Sequence, residues 1–208
     1  MIEDLGIVDY DKAYAIQKEL VARRKVGEIS DSIILAEHKP VFTIGRSGHR
    51  DNLLVDEIYL RKLGATIVDV DRGGDITFHG PGQLVAYPII DLKTRGKDLH
   101  RYMRNLEEVC INFLADYKVK GERAAGKTGV WVGGEKIASI GIAASDWVTY
   151  HGAAINIGCD LNFFSMIHPC GMRGIRVTSL KKILDRDIIM AEAKDRFVEH
   201  FNRIFFGN

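Results

Sequence analysis

Long apolar runs, a cysteine framework and an excess of one charge are all missing from this chain of 208 residues. No apolar run reaches the ~20 residues that cross a bilayer. The start of the chain has no basic region followed by a long apolar one, so we expect no signal peptide. Its three cysteines have no regular spacing, which argues against a disulfide framework and favours a reducing compartment. We therefore expect a cytoplasmic protein that does not bind membranes.

The near-zero net charge and the lack of a flexible linker are also informative. Lys and Arg number 29 against 28 Asp and Glu, a net charge of +1, which argues against broad electrostatic binding of nucleic acid. No linker rich in proline, serine and glycine divides the chain, and 46% of its residues are hydrophobic, enough for a sizeable core. We expect one domain over residues 1–208, and we exclude disorder, collagen and coiled coil as descriptions of the whole chain.

Hydrophobic periodicity predicts helices and strands in alternating groups. The predicted helical segments are one that begins at Asp9 or Asp11 and includes Val21, one over 56–63, a long one from Asp98 to Tyr117, a turn near 179–184 and one over about 190–205. The predicted strands are 32–38, 41–45, 65–70, 83–90, 129–132, 136–143, 147–151 and 153–157. Gly133-Gly134 predicts a hairpin turn. Hairpins outnumber βαβ units, so we expect an α+β fold with mixed, largely antiparallel sheets and packed helices.

The segment RGGDITFHGPGQLVAYPIIDL, residues 72–92, concentrates glycine and proline around Arg72 and His79. Glycines there let the backbone approach a ligand closely and present N–H groups to it. From composition alone, a glycine-rich connection that binds nothing is equally compatible with this pattern.

Two further segments carry reactive side chains. Lys136 opens the strand of GEKIASIGIA, 134–143, where a lysine commonly does no more than protect a sheet edge. Cys170 lies between proline and glycine in IHPCGMRG, 167–174, a turn-like setting that leaves the sulfur uncrowded. Cys110 falls on the apolar stripe of the long helix, and Cys159 follows an apolar strand. Both are expected to be structural.

Two other motifs offer alternatives to a site built from residues 72–92, Lys136 and Cys170. GERAAGKT, 121–128, fits the phosphate-loop pattern, but the residues after it predict a strand where that motif needs a helix. A zinc site would draw on His151, Cys159, His168 and Cys170, whose spacing is not typical of zinc ligands.

The three segments together resemble the octanoyl (lipoyl) transferases of lipoate biosynthesis. RGGDITFHGPGQLVAYPI resembles the family signature, GVWVGGEKIASIGI its catalytic-lysine strand, WVTYHGAAINI its third binding segment and PCG its nucleophile. The resemblance runs from about residue 30 to 180, in the family's order. It implies the catalytic-domain fold of the biotin/lipoate protein ligases. Ala154-Ile155 departs from the family's frequent Ala-Leu, which bears on pocket shape and not on the chemistry.

The resemblance implies transfer of an octanoyl group from octanoyl-acyl carrier protein to a lysine of a lipoyl domain. The implied acceptors are lipoyl domains of 2-oxoacid dehydrogenase complexes and the glycine cleavage H protein. It implies no cofactor and no metal, with Cys170 as nucleophile, Lys136 as its partner and a monomeric enzyme. The acyl-binding residues that it implies are Arg72, Gly73, Gly74, Asp75, Ile76, Thr77, Phe78, His79, Ser139, Ile140, Gly141, Gly152, Ala153 and Ala154, with His151 as an accessory candidate.

Elementary chemistry agrees with those roles. A free cysteine has a pKa near 8.5 and is only about a few per cent thiolate at pH 7, so an adjacent Lys136 ammonium would favour the reactive form. The acceptor lysine must lose a proton, to Lys136 or to His79. Backbone N–H groups near Gly171 or in segment 72–79 are candidates for oxyanion stabilisation. A covalent acyl-enzyme predicts ping-pong kinetics.

The sequence is also compatible with other function classes. The nearest is an ATP-dependent lipoate or biotin ligase on the same fold, which forms an acyl-adenylate and requires no cysteine nucleophile. A carrier-binding module without catalysis and a cysteine hydrolase are two more. The basic residues Lys118, Lys120, Arg173 and Arg176 are candidates for docking an acidic carrier protein.

Overall fold

The computed structural model describes residues 1–171 and 174–207, except for the side chain of Cys170. Five helices and nine strands lie in that part of the chain. The strands are β1 (Ile2–Val8), β2 (Ser32–His38), β3 (Val41–Ile44), β4 (Thr66–Asp69), β5 (Ile76–His79), β6 (Gln83–Ile89), β7 (Val130–Val132), β8 (Glu135–Ser145) and β9 (Val148–Asn156). The helices are α1 (Tyr10–Lys25), α2 (Glu57–Lys62), α3 (Leu99–Asp116), α4 (Leu180–Leu184) and α5 (Met190–Phe206).

A six-stranded sheet forms the larger layer, in the order β1-β2-β6-β9-β8-β7. Only β1 and β2 pair in parallel, and the other neighbours are antiparallel. Helices α3 and α5 pack on one face of this sheet and α1 on the other, each over its own apolar cluster. The sheet is therefore covered on both faces, which explains why most residues of β6 and β9 are buried.

A smaller sheet of three strands, in the order β4-β3-β5, lies beside the larger one. Strand β3 pairs with β4 in parallel and with β5 in antiparallel register. Its apolar cluster includes Phe42, Leu60 of α2, Phe78 and Phe164. The chain passes between the two sheets at the connection between β5 and β6, so the glycine-rich segment contributes to both.

The predicted α+β fold with mixed sheets and packed helices is confirmed. The Gly133-Gly134 hairpin is confirmed as well, with both glycines at positive φ, 56° and 79°, as a type I′ turn requires. The predicted strands 147–151 and 153–157 form one strand, β9. Strands β1 and β5 were not predicted, because Gly6 interrupts the alternation of β1 and glycines flank the four residues of β5. No helix in the described part of the chain is both long and apolar enough to span a bilayer.

A buried carboxylate of α3 holds the loop that precedes β7. Glu107 Oε1 accepts a hydrogen bond of 3.0 Å from the backbone N–H of Gly129, and Oε2 accepts from Arg104 and Arg123 at 2.6 and 3.0 Å. The Glu107 side chain is only 1% exposed. Because a buried carboxylate without donors is strongly unfavourable, these three donors fix the position of residues 121–129 over α3.

We expect Glu107→Ala to lower the free energy of unfolding by about 1–3 kcal/mol, because it leaves the buried Gly129 N–H without an acceptor. Glu108→Ala is the matched control, since Glu108 is half-exposed and binds the same Arg123. Its effect should stay below about 1 kcal/mol. Urea denaturation of both variants measures the difference, and equal losses would contradict the anchoring role of Glu107.

Candidate active site

A cleft of about 500 Å³ opens between the two sheets. Segment 72–79 forms one wall, and β8 and β9 form the other, at the point where Ser139 pairs with Ala154 and Gly141 with Gly152. The lining residues are Tyr10, Arg72, Gly73, Gly74, Asp75, Ile76, Thr77, His79, Val85, Tyr87, Ser139, Ile140, Gly141, His151, Gly152, Ala153 and Ala154. Most of these side chains are small or apolar, so the cleft fits a narrow aliphatic ligand.

Burial orders the lining residues from the mouth of the cleft to its interior. Gly73 and Gly74 are exposed and Asp75 and Ile140 are half-buried, so these residues form the mouth. The residues at the interior end are buried, and they are Tyr10, His79, Val85, Tyr87 and Ala154. A straight chain would therefore enter beside Gly73–Asp75 and extend toward the two tyrosines.

The side chain of Arg72 fixes the mouth. Its Nη2 donates to the carbonyl oxygen of Thr43 at 2.7 Å and to Thr43 Oγ1 at 2.9 Å, and its Nη1 donates to the carbonyl of Gly73 at 3.0 Å. The backbone N–H of Gly73 donates in turn to Ile142 O of β8 at 2.9 Å. Arg72 thus ties the smaller sheet to the loop, and the loop to the larger sheet.

Two glycines allow the close approach that this arrangement requires. A Cβ on Gly141 would lie 3.0 Å from Arg72 Cδ and 3.1 Å from Gly73 O. A Cβ on Gly152 would collide with the carbonyl oxygen of Ala86 on the neighbouring strand β6. Side chains at these positions would separate strands or displace the loop, so packing alone already requires small residues here.

Hydrogen-bonded aromatic side chains close the interior end. His38 Nε2 and the Tyr87 hydroxyl are 2.6 Å apart, and His38 Nδ1 lies 3.0 Å from the carbonyl of Val8. Because a carbonyl only accepts, Nδ1 carries the proton and Nε2 accepts from Tyr87. The ring of Tyr10 stacks on that of His79 with 6.1 Å between centroids. These contacts give the end of the cleft a fixed wall.

His151 joins this wall through an irregular point in β9. Its φ of +55° is unusual for a residue with a side chain, and it breaks the alternation so that both Tyr150 and His151 reach Asp71. The distances are 2.6 Å from the Tyr150 hydroxyl to Asp71 Oδ2 and 2.7 Å from His151 Nε2 to Asp71 Oδ1. The Tyr10 hydroxyl lies 3.3 Å from His151 Nδ1.

Burial keeps these histidines neutral near pH 7. It lowers the pKa of His79 to about 3, with a contribution from nearby His38. It also lowers the pKa of His151 to about 4, because the loss of hydration outweighs the attraction of Asp71. The pKa of Asp71 itself falls to about 2, since hydrogen bonds from Tyr150 and His151 exceed the effect of its own burial. The interior end therefore presents neutral rings to the cleft.

His79 continues into a second chain of hydrogen bonds. Its Nδ1 lies 2.7 Å from Gln83 Oε1, and Gln83 Nε2 donates to Asn156 Oδ1 at 2.8 Å. Asn156 Nδ2 donates to the carbonyl of Thr178 at 3.0 Å, and the N–H of Thr178 donates to Lys136 O at 2.9 Å. This chain connects the interior wall to the backbone at Lys136.

Lys136 is 3% exposed, an unusual degree of burial for a lysine. Its Nζ lies 5.2 Å from the centre of the Trp131 ring. A Cβ placed on Gly129 would come within 3.4 Å of the same Nζ. The alternative considered for Lys136, a solvated residue that only protects a sheet edge, does not fit this burial, since the side chain turns inward beneath Gly129.

The turn Pro169–Gly171 lies at the mouth of the cleft, against β5. A Cβ on Gly171 would come within 2.5 Å of Asp75 Oδ2, and Gly171 has a φ of +68°. Asp75 also accepts from Asn52 Nδ2 at 2.7 Å, and the Asn52 carbonyl accepts from the N–H of His168 at 2.8 Å. Asp75 and Asn52 thus hold the start of this turn, at His168, beside the mouth. The side chain of Cys170 itself lies outside the described residues.

Every acyl-binding residue predicted from the sequence except Phe78 lines this cleft, as does the accessory candidate His151. Phe78 instead packs in the apolar cluster of the smaller sheet and stacks on Phe163 with 4.4 Å between ring centroids. Sequence reasoning missed Tyr10, Val85 and Tyr87. The last two alternate on β6 toward the same face as Ala154, and that period of two was the available signal.

The residues of the two alternative motifs, the phosphate loop and the zinc site, lie in surroundings that differ from those the motifs require. Residues 121–128 form turns that lead into β7, and no helix follows Thr128. Cys159 is buried with Sγ 3.5 Å from Asn156 Oδ1, and no group of three or more potential metal ligands occurs among the described residues. Cys110 and Cys159 are buried free thiols, and burial raises the pKa of both, that of Cys159 to about 12.

Three of the four basic residues considered for carrier docking, Lys118, Lys120 and Arg176, lie in the described part of the chain. Lys120 pairs with Glu122 at 2.9 Å, and Arg176 lies 3.6 Å from Glu135. Lys118 is exposed after the end of α3. Arg173 lies outside the described residues. Their role in docking stays a prediction.

We expect Gly152→Ala to lower the free energy of unfolding by about 1–3 kcal/mol and to impair ligand binding, because the added methyl group must displace β6. Gly158→Ala is the control, since its nearest contact would be an ordinary 3.6 Å to the Lys181 side chain. Thermal unfolding and the affinity for octanoate measure the two effects. A stable Gly152→Ala variant with unchanged octanoate affinity would contradict this account of the wall.

Comparisons with known proteins agree with this architecture. The model of the lipoyl protein ligase A/B catalytic domain matches residues 9–202. An octanoyltransferase of Syntrophotalea carbinolica is 49% identical over 98% of this chain and 93% of its own length.

Solved structures at lower identity share the fold. A lipoate-protein ligase A bound with ATP has a TM-score of 0.79 at 16% identity, over 98% of this chain and 84% of that one. A bipartite lipoate protein ligase from Thermoplasma acidophilum, described with its E2 lipoyl domain, has a TM-score of 0.73 at 16% identity, over 98% and 82% of the two chains. The chain belongs to the lipoyl protein ligase A/B catalytic-domain family.

Proposed function

We propose that this protein is an octanoyltransferase of lipoate biosynthesis. It takes an octanoyl group from octanoyl-acyl carrier protein and places it on a lysine of a lipoyl domain. The observation that carries the proposal is the position of the narrow cleft, whose mouth at Asp75 touches Gly171, next to Cys170. A 49% identical relative named octanoyltransferase supports the reaction class.

The cleft fits an aliphatic acyl chain. Small residues of β8 and β9 form one wall, and neutral rings close the interior end. With the chain inside, its thioester carbonyl would lie at the mouth, beside the glycine-rich loop and the turn that carries Cys170.

In the proposed first step, the Cys170 thiolate attacks the carbonyl of the donor thioester. A new C–S bond forms, the bond to the carrier thiol breaks, and the departing thiolate takes a proton from the Lys136 ammonium. The backbone N–H groups of Gly74 and Asp75 are the proposed oxyanion donors, because the N–H of Gly73 already donates to Ile142 O and that of Gly171 to His168 O, each at 2.9 Å.

In the second step, the amine of the acceptor lysine attacks the acyl-enzyme and releases Cys170. The first step leaves Lys136 neutral, so it can accept the proton that the amine loses. We prefer Lys136 to His79 for this role because a histidine with a pKa of about 3 is a weak base at neutral pH.

The remaining features of the proposal follow the family. The enzyme acts as one catalytic domain and as a monomer in the cytoplasm. Its acceptors are lipoyl domains of 2-oxoacid dehydrogenase complexes and the glycine cleavage H protein. A structural relative described with an E2 lipoyl domain supports that kind of acceptor.

Incubation with octanoyl-acyl carrier protein, without acceptor, should add one octanoyl group to the protein. Intact mass spectrometry detects the adduct, and addition of a lipoyl domain should remove it. Cys170→Ala should form no adduct. Cys159→Ala is the matched control and should form it as the native protein does, because Cys159 is buried and its pKa is raised.

An adduct on Cys170→Ala, or its loss on Cys159→Ala alone, would contradict the assignment of the nucleophile. Free octanoate is measured in the same samples to distinguish fast hydrolysis from a failure to react. Consumption of labelled ATP during transfer of free octanoate would favour the ligase reaction instead.

Lys136→Met keeps the length and apolar stem of this buried side chain but removes its amine. We expect both half-reactions to slow by about 10²–10⁴-fold, the usual contribution of a positioned proton donor and acceptor. Single-turnover mass spectrometry measures formation and discharge of the adduct separately. The control Lys182→Met removes an exposed amine bound to Glu135 at 3.0 Å and should change neither rate. A Lys136→Met enzyme with native rates would contradict the proton-transfer role.

A further inference from the structure

A second cleft of about 700 Å³ lies on the other side of the glycine-rich loop. Its lining residues are Gly73, Gly74, Met103, Gly126, Lys127, Thr128, Ile140, Gly141 and Ile142. Met103 comes from α3, and Gly126–Thr128 belong to the loop that Glu107 anchors through Gly129. The second cleft therefore has one wall held in place by a buried carboxylate.

The two clefts meet over a shared piece of backbone. Gly73, Gly74, Ile140 and Gly141 line both of them. Strand β7 pairs with β8 only as far as Ala138. Beyond that point the outer edge of β8 is bordered by Gly73, whose N–H donates to Ile142 O. A ligand at this edge can extend into one cleft on each side.

Each proposed catalytic residue lies in a segment that adjoins one of the two clefts. The turn Pro169–Gly171 contacts Asp75 at the mouth of the acyl cleft. Lys136 Nζ lies beneath Gly129, the residue that follows the Gly126–Thr128 loop of the second cleft. A thioester carbonyl held between Cys170 and Lys136 would thus have one cleft available on each side.

We propose that the second cleft binds the phosphopantetheine arm of the acyl donor, a long, flexible, amide-containing chain that ends in a phosphate. This inference rests on the proposed function, because a donor thioester has two arms at its carbonyl and the acyl cleft accommodates only one. The apolar side chains of Met103, Ile140 and Ile142 contact the chain, and the exposed loop with Lys127 and Thr128 receives the phosphate.

Charge and backbone geometry favour this occupant over a nucleotide. Lys127 has no ion-pair partner among the described residues, whereas nearby Arg123 pairs with Glu107 and Glu108. A nucleotide loop places its phosphates at the N-terminus of a following helix. Here Thr128 leads through Gly129 into β7, so the loop offers a single cation and a hydroxyl, which suit one terminal phosphate.

Three octanoyl thioesters test the proposal with the full chain: octanoyl-phosphopantetheine, octanoyl-pantetheine and octanoyl-N-acetylcysteamine. They share the reacting carbonyl, and they lose first the phosphate and then most of the arm. We expect Lys127→Ala to lower kcat/KM of acylation about three- to tenfold for the phosphorylated donor alone. Lys181→Ala, which removes an exposed lysine paired with Asp187, should leave kcat/KM for all three donors unchanged.

Met103→Trp fills the second cleft and provides an independent test. We expect it to lower kcat/KM about tenfold for both donors that carry the pantetheine arm and to leave the N-acetylcysteamine thioester unchanged. The proposal would be overturned if Met103→Trp lowered kcat/KM equally for all three donors or for none of them. It would also be overturned if Lys127→Ala lowered kcat/KM equally for the donors with and without the phosphate. Competition by ATP that Lys127→Ala abolishes would assign the cleft to a nucleotide and would overturn it as well.

Failure of this inference is distinguishable from failure of the proposed function. A native enzyme that forms the acyl adduct from octanoyl-N-acetylcysteamine but does not distinguish the two longer donors retains its proposed chemistry and loses only the second site. A native enzyme that forms no adduct and releases no octanoate from any donor contradicts the proposed function itself.

Discussion

The arrangement of the whole site depends on the buried guanidinium of Arg72. It reaches Thr43 on the smaller sheet at 2.7 and 2.9 Å and braces the loop that begins at Gly73. Gly73 is bound in turn to β8 of the larger sheet. Two sheets that share no strand are thereby held a fixed distance apart, and the acyl cleft is the space between them. Since Arg72 is only 7% exposed, these charge-assisted hydrogen bonds lie in a region of low dielectric where they are strong.

A polar interior wall in an aliphatic cleft calls for a physical explanation. Histidines and tyrosines there satisfy one another: His38 accepts from Tyr87 and donates to Val8, while His151 binds Asp71 and Tyr10. Because these polar atoms are engaged within the protein, the surfaces left for a ligand are mainly ring faces and carbon edges. The low pKa values of His79 and His151 also keep positive charge away from the acyl chain at neutral pH. The wall is thus rigid without being charged.

Much of this site was predictable because its residues lie in local sequence segments. Glycines followed by an apolar strand marked segment 72–79, and the Gly133-Gly134 turn located the hairpin that carries Lys136. The parts that sequence reasoning missed are brought together over long distances along the chain. Tyr10 reaches the cleft from the first residue of α1, which is far along the chain from segment 72–79 and from β8 and β9. The burial of Lys136 depends on Gly129 and Trp131, which fold back over it. No periodicity in the local sequence predicts that contact.

A double-displacement enzyme must bring two large partners, the donor and then the acceptor, to the same carbonyl. The place where the acyl cleft and the second cleft meet suggests how this is achieved. On the proposed mechanism, the acyl chain stays in its cleft through both steps while the second cleft is vacated by the donor arm. The acceptor lysine needs only the length of one side chain to reach the same carbonyl. Loss of the donor arm would also admit water, which competes for the acyl-enzyme. The loop over α3, held through Glu107 and Gly129, borders that opening, so on the proposed mechanism its fixed position limits the space that water can enter once the donor arm has left.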